Sequence, residues 1–145
     1  MPLFNIYGLI IAIIILIPNI VFAIKCKDGF VNIWHNKFVE IAEQIGRFSC
    51  FTFMFINIPK TCFGWINNKY FLAYLIINFI LVFAYCLIWF ICFKKSSIFK
   101  SLALSIIPSI IFIFSGIMMR SILLITSSVI FGPNHIILSY MNTKN

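Results

Sequence analysis

The chain has 145 residues, 63% of them hydrophobic and 10% charged, with a mean hydropathy of +1.10, values that exclude an ordinary soluble domain. A water-soluble fold this small could not hide so much apolar surface. The net charge of +8 comes from eleven Lys or Arg against Asp28, Glu40 and Glu43, and the lysines stand beside apolar runs, not in a stripe between aromatic residues. That placement points to anionic lipid headgroups and away from nucleic acid.

The pattern predicts an all-α integral membrane bundle in a single domain, with helices about 3–24, 40–58, 70–93, 98–116 and 122–140. Residues 3–24 carry no charge and lack both a basic leader and a small-residue cleavage site, so they read as a retained helix. The second span is weaker, because Arg47 and Lys60 leave only twelve uncharged residues between them. Starting it near Glu40 gives nineteen residues ending before Pro59, and brings Glu43 and Arg47 into or near the hydrocarbon. The third opens with Tyr70 and carries Trp89 near its other end, as aromatic belts require.

From Ser101 to Thr143 the only charge is Arg120. One continuous helix over 101–131 would extend about 46 Å and strand that guanidinium in lipid. Two helices joined by a turn at 116–121 avoid this, with Gly116 as the left-handed terminator, Ser121 as the next cap, and Arg120 reaching headgroups or water. Five helices with the N-terminus outside place Lys25, Lys27, Lys37, Lys94, Lys95, Lys100 and Lys144 on the cytoplasmic side, and Lys60, Lys69 and Arg120 on the other. The alternative, four helices, leaves Arg120 inside the membrane.

Small and polar residues fall on one face of each helix, as membrane packing requires. The stripes are Asn5, Gly8, Ala12, Asn19 and Ala23; then Glu40, Glu43, Arg47, Cys50, Met54 and Asn57; then Tyr74, Asn78 and Tyr85; then Ser101, Ser105, Pro108, Ser109, Phe112 and Gly116. On a common depth scale Arg47, Asn19, Tyr85, Ser105 and Asn134-His135 share one level. The candidate intramembrane polar site is therefore Glu43, Arg47, Asn19 and His135. Glu43 and Arg47 have the spacing and order of a helical ion pair. One reading of them is a substrate, ion or proton pathway; the other is an interfacial first turn with Arg47 snorkelling to headgroups.

His135 lacks a metal partner at helical spacing, and the five cysteines include no CxxC, so neither metal binding nor thiol exchange is expected. No nucleotide-binding or hydrolytic motif occurs, and no cofactor is implied. The stretches Ile17-Pro18-Asn19-Ile20, Glu43-Gln44-Ile45-Gly46-Arg47 and Ala103-Leu104-Ser105-Ile106-Ile107-Pro108-Ser109, then Phe114-Ser115-Gly116, resemble a group of small uncharacterised multi-pass membrane proteins from low-GC bacteria. That resemblance implies a bacterial cell membrane and no particular activity. The leading expectation is a non-enzymatic packing or accessory component, as a homo-oligomer or within a larger complex. The alternative is a small transporter or proton-coupled permease using Glu43 and Arg47.

Overall fold

A computed structural model describes residues 3–25, 34–94 and 97–144. Cys26, Lys27, Asp28 and Lys95 lie outside the described residues. The protein is all-helical: α1 (Ile6–Lys25), α2 (Lys37–Phe55), α3 (Asn68–Cys92), α4 (Ile98–Met119) and α5 (Ile122–Lys144). Helices satisfy their backbone groups internally, which is what a chain this apolar needs where no water is available. Four of the five, α1, α3, α4 and α5, are long and apolar enough to cross a membrane. In its nineteen residues α2 carries Lys37, Glu40, Glu43 and Arg47, and it runs alongside the others for about 28 Å.

Each helix opens on a short polar side chain that accepts an orphan N–H of the first turn. Asn5 accepts from Tyr7, Asn36 from Val39, Asn67 from Lys69 and Tyr70, Ser97 from Lys100, and Ser121 from Leu124. Because Asn36 is the cap, α2 begins three residues before the expected Glu40. Arg47 consequently lies about 15 Å along its helix, deeper than the interfacial turn that Glu40 would have started.

The helices alternate in direction, giving the bundle two distinct ends. At the loop end, the start of α1 pairs with the end of α2: Asn5 N–H donates to Phe55 O at 2.7 Å and Asn57 N–H to Leu3 O at 2.8 Å. The 56–67 connection is joined to the α4–α5 turn through Phe63 N–H to Arg120 O, Gly64 N–H to Met119 O and Ile122 N–H to Thr61 O. Trp65 tucks beneath it against Tyr74 and Phe71, with ring centroids at 4.5 and 5.1 Å. At the opposite, lysine end lie Lys25, Lys37, Lys94 and Lys100.

The last apolar stretch is two antiparallel helices, so the continuous-helix alternative does not hold. The terminator also differs from the expected one: Arg120, at φ 52° and ψ 45°, is the left-handed residue, and Gly116 is buried within α4. Ser121 N–H reaches back to Gly116 O and Arg120 N–H to Ile117 O, a Schellman-type ending. Arg120 is held there because its Nε donates to Gly64 O at 2.8 Å and its Nη2 to Phe63 O at 3.0 Å. The guanidinium thus engages loop carbonyls in place of the expected headgroups. Gly116 is needed for packing, since a Cβ there would stand 2.9 Å from Ile125 Cγ1 and 3.1 Å from its backbone nitrogen.

Two further crossings depend on glycine. Gly8 of α1 lies on the Met54 carbonyl of α2, and Gly46 of α2 lies on Phe131 of α5, where a Cβ would stand 2.7 Å from main-chain atoms. Such contacts let helix backbones approach closely where lipid supplies no hydrophobic drive between helices. The remaining core is aliphatic and aromatic, including Ile15, Met54, Tyr74, Ile111, Phe112, Met119 and Leu124. Of the expected stripes, those of α3 and α4 face inward, whereas Ala23 of α1 is exposed.

Candidate functional site

The α2/α5 seam runs antiparallel, so positions pair in descending order on α5. Near the loop end of the seam, Cys50 Sγ lies 3.9 Å from Ser128 Oγ, and Ser128 donates to Leu124 O. One turn along α2, Gly46 lies on Phe131. One further turn toward the lysine end, the seam opens on three ionisable side chains. Glu43 Oε2 is 3.4 Å from Arg47 Nη2, and Glu43 Oε1 is 3.2 Å from His135 Nδ1.

Burial differs across this trio. The Glu43 side chain is 6% exposed, while His135 is 27% and Arg47 42% exposed. The acid is therefore enclosed, and both basic groups lead outward from it. The imidazole is stacked on Phe131, at 4.7 Å between centroids and 19° between planes, which sets the plane of the ring. The 3.2 Å contact is off line, so Oε1 and the buried Arg47 Nε each lack an aligned hydrogen bond. Burying a carboxylate this deeply is unfavourable unless cationic or donor groups compensate it, and here two helices supply them.

Asn19 does not join the cluster. Its amide donates to Ile15 O at 2.8 Å and to the Tyr85 hydroxyl at 2.6 Å, making a polar contact between α1 and α3. Nor does the rest of the expected layer converge on Glu43. Ser105 and Ser109 donate to Ser101 O and Ser105 O of their own helix, and Asn134 donates to Ile130 O beside Pro133. Hydroxyl and amide groups in a helix readily turn back on the preceding carbonyls, which removes them from contacts between helices. Glu40 is partly buried and pairs with His35 Nδ1 at 3.5 Å, one turn nearer the helix start.

Two functional-looking features were not anticipated. Gly46, on the same stripe as Glu43 and Cys50, sets the α2–α5 approach, and its spacing from them was a legible signal. Lys100, expected among the basic residues of the cytoplasmic side, is 8% exposed. Its ammonium lies 4.4 Å from the Phe22 ring centroid and 5.1 Å from that of Trp89, and it donates to Phe93 O at 3.1 Å. The rings of Phe22, Trp89 and Phe93 contact one another around it, so a cation–π enclosure offsets lost hydration.

Two cavities lie away from the ionic trio. One, of about 300 Å³, is at the loop end and is lined by Asn5, Asn57, Trp65 and Phe71. The other, of about 360 Å³, lies between α1 and α3 and is lined by Ile11, Asn78, Val82 and Cys86. Among the described residues, no group of three His, Cys, Asp or Glu could hold a metal ion. The trio can hold a buried charge, exchange a proton through an imidazole, and tie α2 to α5. Neither a family model, nor a curated protein, nor a solved structure matches the chain.

Proposed function

We propose that this chain is a multi-pass protein of a bacterial cell membrane, with its loop end outside and its lysine end in the cytoplasm. It acts there as a non-enzymatic packing or accessory component, assembling with copies of itself or within a larger membrane complex. The observation that carries this reading is the engagement of Glu43: both carboxylate oxygens face cationic or donor groups, one from α2 and one from α5. The acid is occupied in holding the polar helix within the bundle, and neither of the two cavities described above is lined by it.

Orientation follows from the lysines, which collect at the end carrying Lys25, Lys37, Lys94 and Lys100, against Lys60, Lys69 and Arg120 at the loop end. Anionic headgroups favour such a collar by about 1 kcal/mol per basic residue near the surface. In a cysteine-free background, an impermeant thiol reagent applied outside should label Ile66→Cys and spare Lys94→Cys. The reverse pattern would invert the orientation.

A second reading, a small transporter or proton-coupled permease, is favoured by the buried Oε1 that faces His135 without an aligned hydrogen bond. The double variant Glu43→Gln with Arg47→Gln separates the two. An accessory component loses assembly, measured as co-purified complex, and shows no proton flux in vesicles with or without the substitutions. A permease keeps its abundance and loses a flux that the wild type possesses.

A further inference from the structure

We infer that the α1–α3 seam holds one lipid of the loop-side leaflet, with an acyl chain between the two helices and an uncharged, hydroxyl-bearing headgroup in the cavity above. The inference goes beyond a packing role and requires only that the bundle lies in a bilayer.

The seam closes at two levels and opens between them. Helices α1 and α3 both start at the loop end and run parallel. They meet first where the Tyr7 and Phe71 rings pack edge to face, 5.3 Å between centroids. They meet again where Asn19 Nδ2 donates to the Tyr85 hydroxyl at 2.6 Å, with Phe22 on Trp89 one turn beyond at 4.9 Å. Between these levels lies the cavity of about 360 Å³, walled by Ile11 and Ile14 on α1 and by Leu75, Val82 and Cys86 on α3. Asn78 also borders it, but its amide donates to Ser115 Oγ of α4 at 3.1 Å.

The occupant follows from the walls and the length of this slot. Ile10, Phe79 and Phe83 stand exposed at its edges, so it opens sideways to the bilayer. Water does not fill a space lined in this way, and leaving it empty forfeits dispersion contacts along both helices. A hydrocarbon chain restores them. From Leu75 to Cys86 the slot runs about 16 Å along α3, close to one leaflet's half of a hydrocarbon core about 30 Å thick. A chain entering from the loop side fills it and stops at the Asn19–Tyr85 bond.

The headgroup is set by the cavity of about 300 Å³ at the loop end. Tyr7 lines both cavities, and successive turns of α3 border one and then the other, Phe71 the upper and Leu75 the lower. The exposed Tyr7 ring is the step over which headgroup joins chain. Asn5 and Asn57 each follow a residue of the Phe4–Ile56 bridge, which holds both in place, and both are buried. With Asn68 they supply amides, while Trp65 and Phe71 supply ring surface; among the described residues, no Lys, Arg, Asp or Glu lines the cavity. Such a lining suits the hydroxyls and C–H faces of a glycerol or sugar. A phosphate buried there would lack a cation, since Lys60 and Lys69 of the same end lie outside the lining.

Two measurements on the full chain in nanodiscs test this. The probe is a glucosyl diacylglycerol carrying a photoactivatable diazirine at mid-chain, diluted in phosphatidylglycerol. Adducts mapped by mass spectrometry should concentrate on Ile14, Val82 and Cys86, and be about tenfold rarer on Ile80 and Phe90, which are exposed on α3 outside the slot. In native mass spectrometry one glucosyl lipid should stay bound, and a phosphatidylglycerol with the same chains should be retained about tenfold less. Val82→Trp fills the slot and should abolish both signals, whereas Ile80→Trp, on the outward face, should keep them. Even labelling of slot and outward positions overturns the proposal, and so does equal retention of the two lipids. Should Val82→Trp fail to fold, these two wild-type comparisons still decide.

Discussion

At the loop end the helices are joined through main-chain hydrogen bonds: α1 to α2 at Asn5 and Asn57, and the 56–67 connection to the α4–α5 turn at Phe63, Gly64 and Ile122. At the lysine end the described contacts between elements each involve a side chain: Glu43 with His135, Lys100 among three aromatic rings, and the Trp34 main-chain N–H donating to Asn142 Oδ1 at 2.8 Å. Main-chain pairing carries no titratable group and is indifferent to salt. Side-chain pairing that involves a part-exposed guanidinium is screened by salt. The same bundle therefore has one end that is fixed by geometry and one that solution conditions can loosen.

The largest expected effect breaks the fixed end. Gly8→Ala drives a Cβ into the Met54 carbonyl, where no flexible side chain can yield. It should cost about 3 kcal/mol or more, seen as loss of monodisperse protein on size-exclusion chromatography. Next comes the responsive end: Glu43→Ala leaves Arg47 and His135 facing an empty seam. The expected cost is about 2–3 kcal/mol, below that of a fully buried pair because Arg47 is 42% exposed, and the remaining wild-type difference should shrink as salt is raised. Thermal melts of wild type and variant in low and high salt would check both parts.

A smaller effect separates two roles of one residue at the loop end. Arg120→Ala loses both loop carbonyl contacts and keeps the left-handed backbone, and should destabilise by about 1–2 kcal/mol. Arg120→Gly loses the same contacts without the steric cost at φ 52°, and should melt above the alanine variant by about 1 kcal/mol equivalent. If the two melt together, the turn is not strained.

The smallest effect concerns Cys62, whose Sγ lies 3.5 Å from Met119 O beside that turn. Burial pushes its thiol up from the ordinary value, against smaller opposing effects from the Gly64 backbone and Arg120. It therefore stays protonated at alkaline pH after an unfolded thiol would ionise. Iodoacetamide at mildly alkaline pH should modify it more slowly than glutathione, and stability should fall slightly as pH rises through that window. Equal rates would mean that the loop opens on the timescale of the reaction.

How much of this was legible in sequence depends on whether the cause is local. Helix number follows from run lengths, because each lipid-exposed backbone must bond within itself. The Glu43–Arg47 contact follows from a spacing of four. The start of α2 also had a local signal in Asn36, a favourable cap just before Lys37. The left-handed Arg120 was not legible, because the loop carbonyls that hold it lie more than fifty positions earlier in the chain. Asn19 shows the other kind of loss. Depth along a helix is set by sequence, but which neighbour a side chain faces at that depth is set by packing, and Asn19 faces Tyr85 in place of Glu43.

Lys100 carries a consequence for how the chain is made. Its ammonium is screened by rings from Phe22 of α1 and Trp89 of α3, both of which emerge from the ribosome before it does. A charged residue at the start of α4 thus has its enclosure ready only once the first and third helices have met. The start of α4 therefore packs against α1 and α3 as one joined surface.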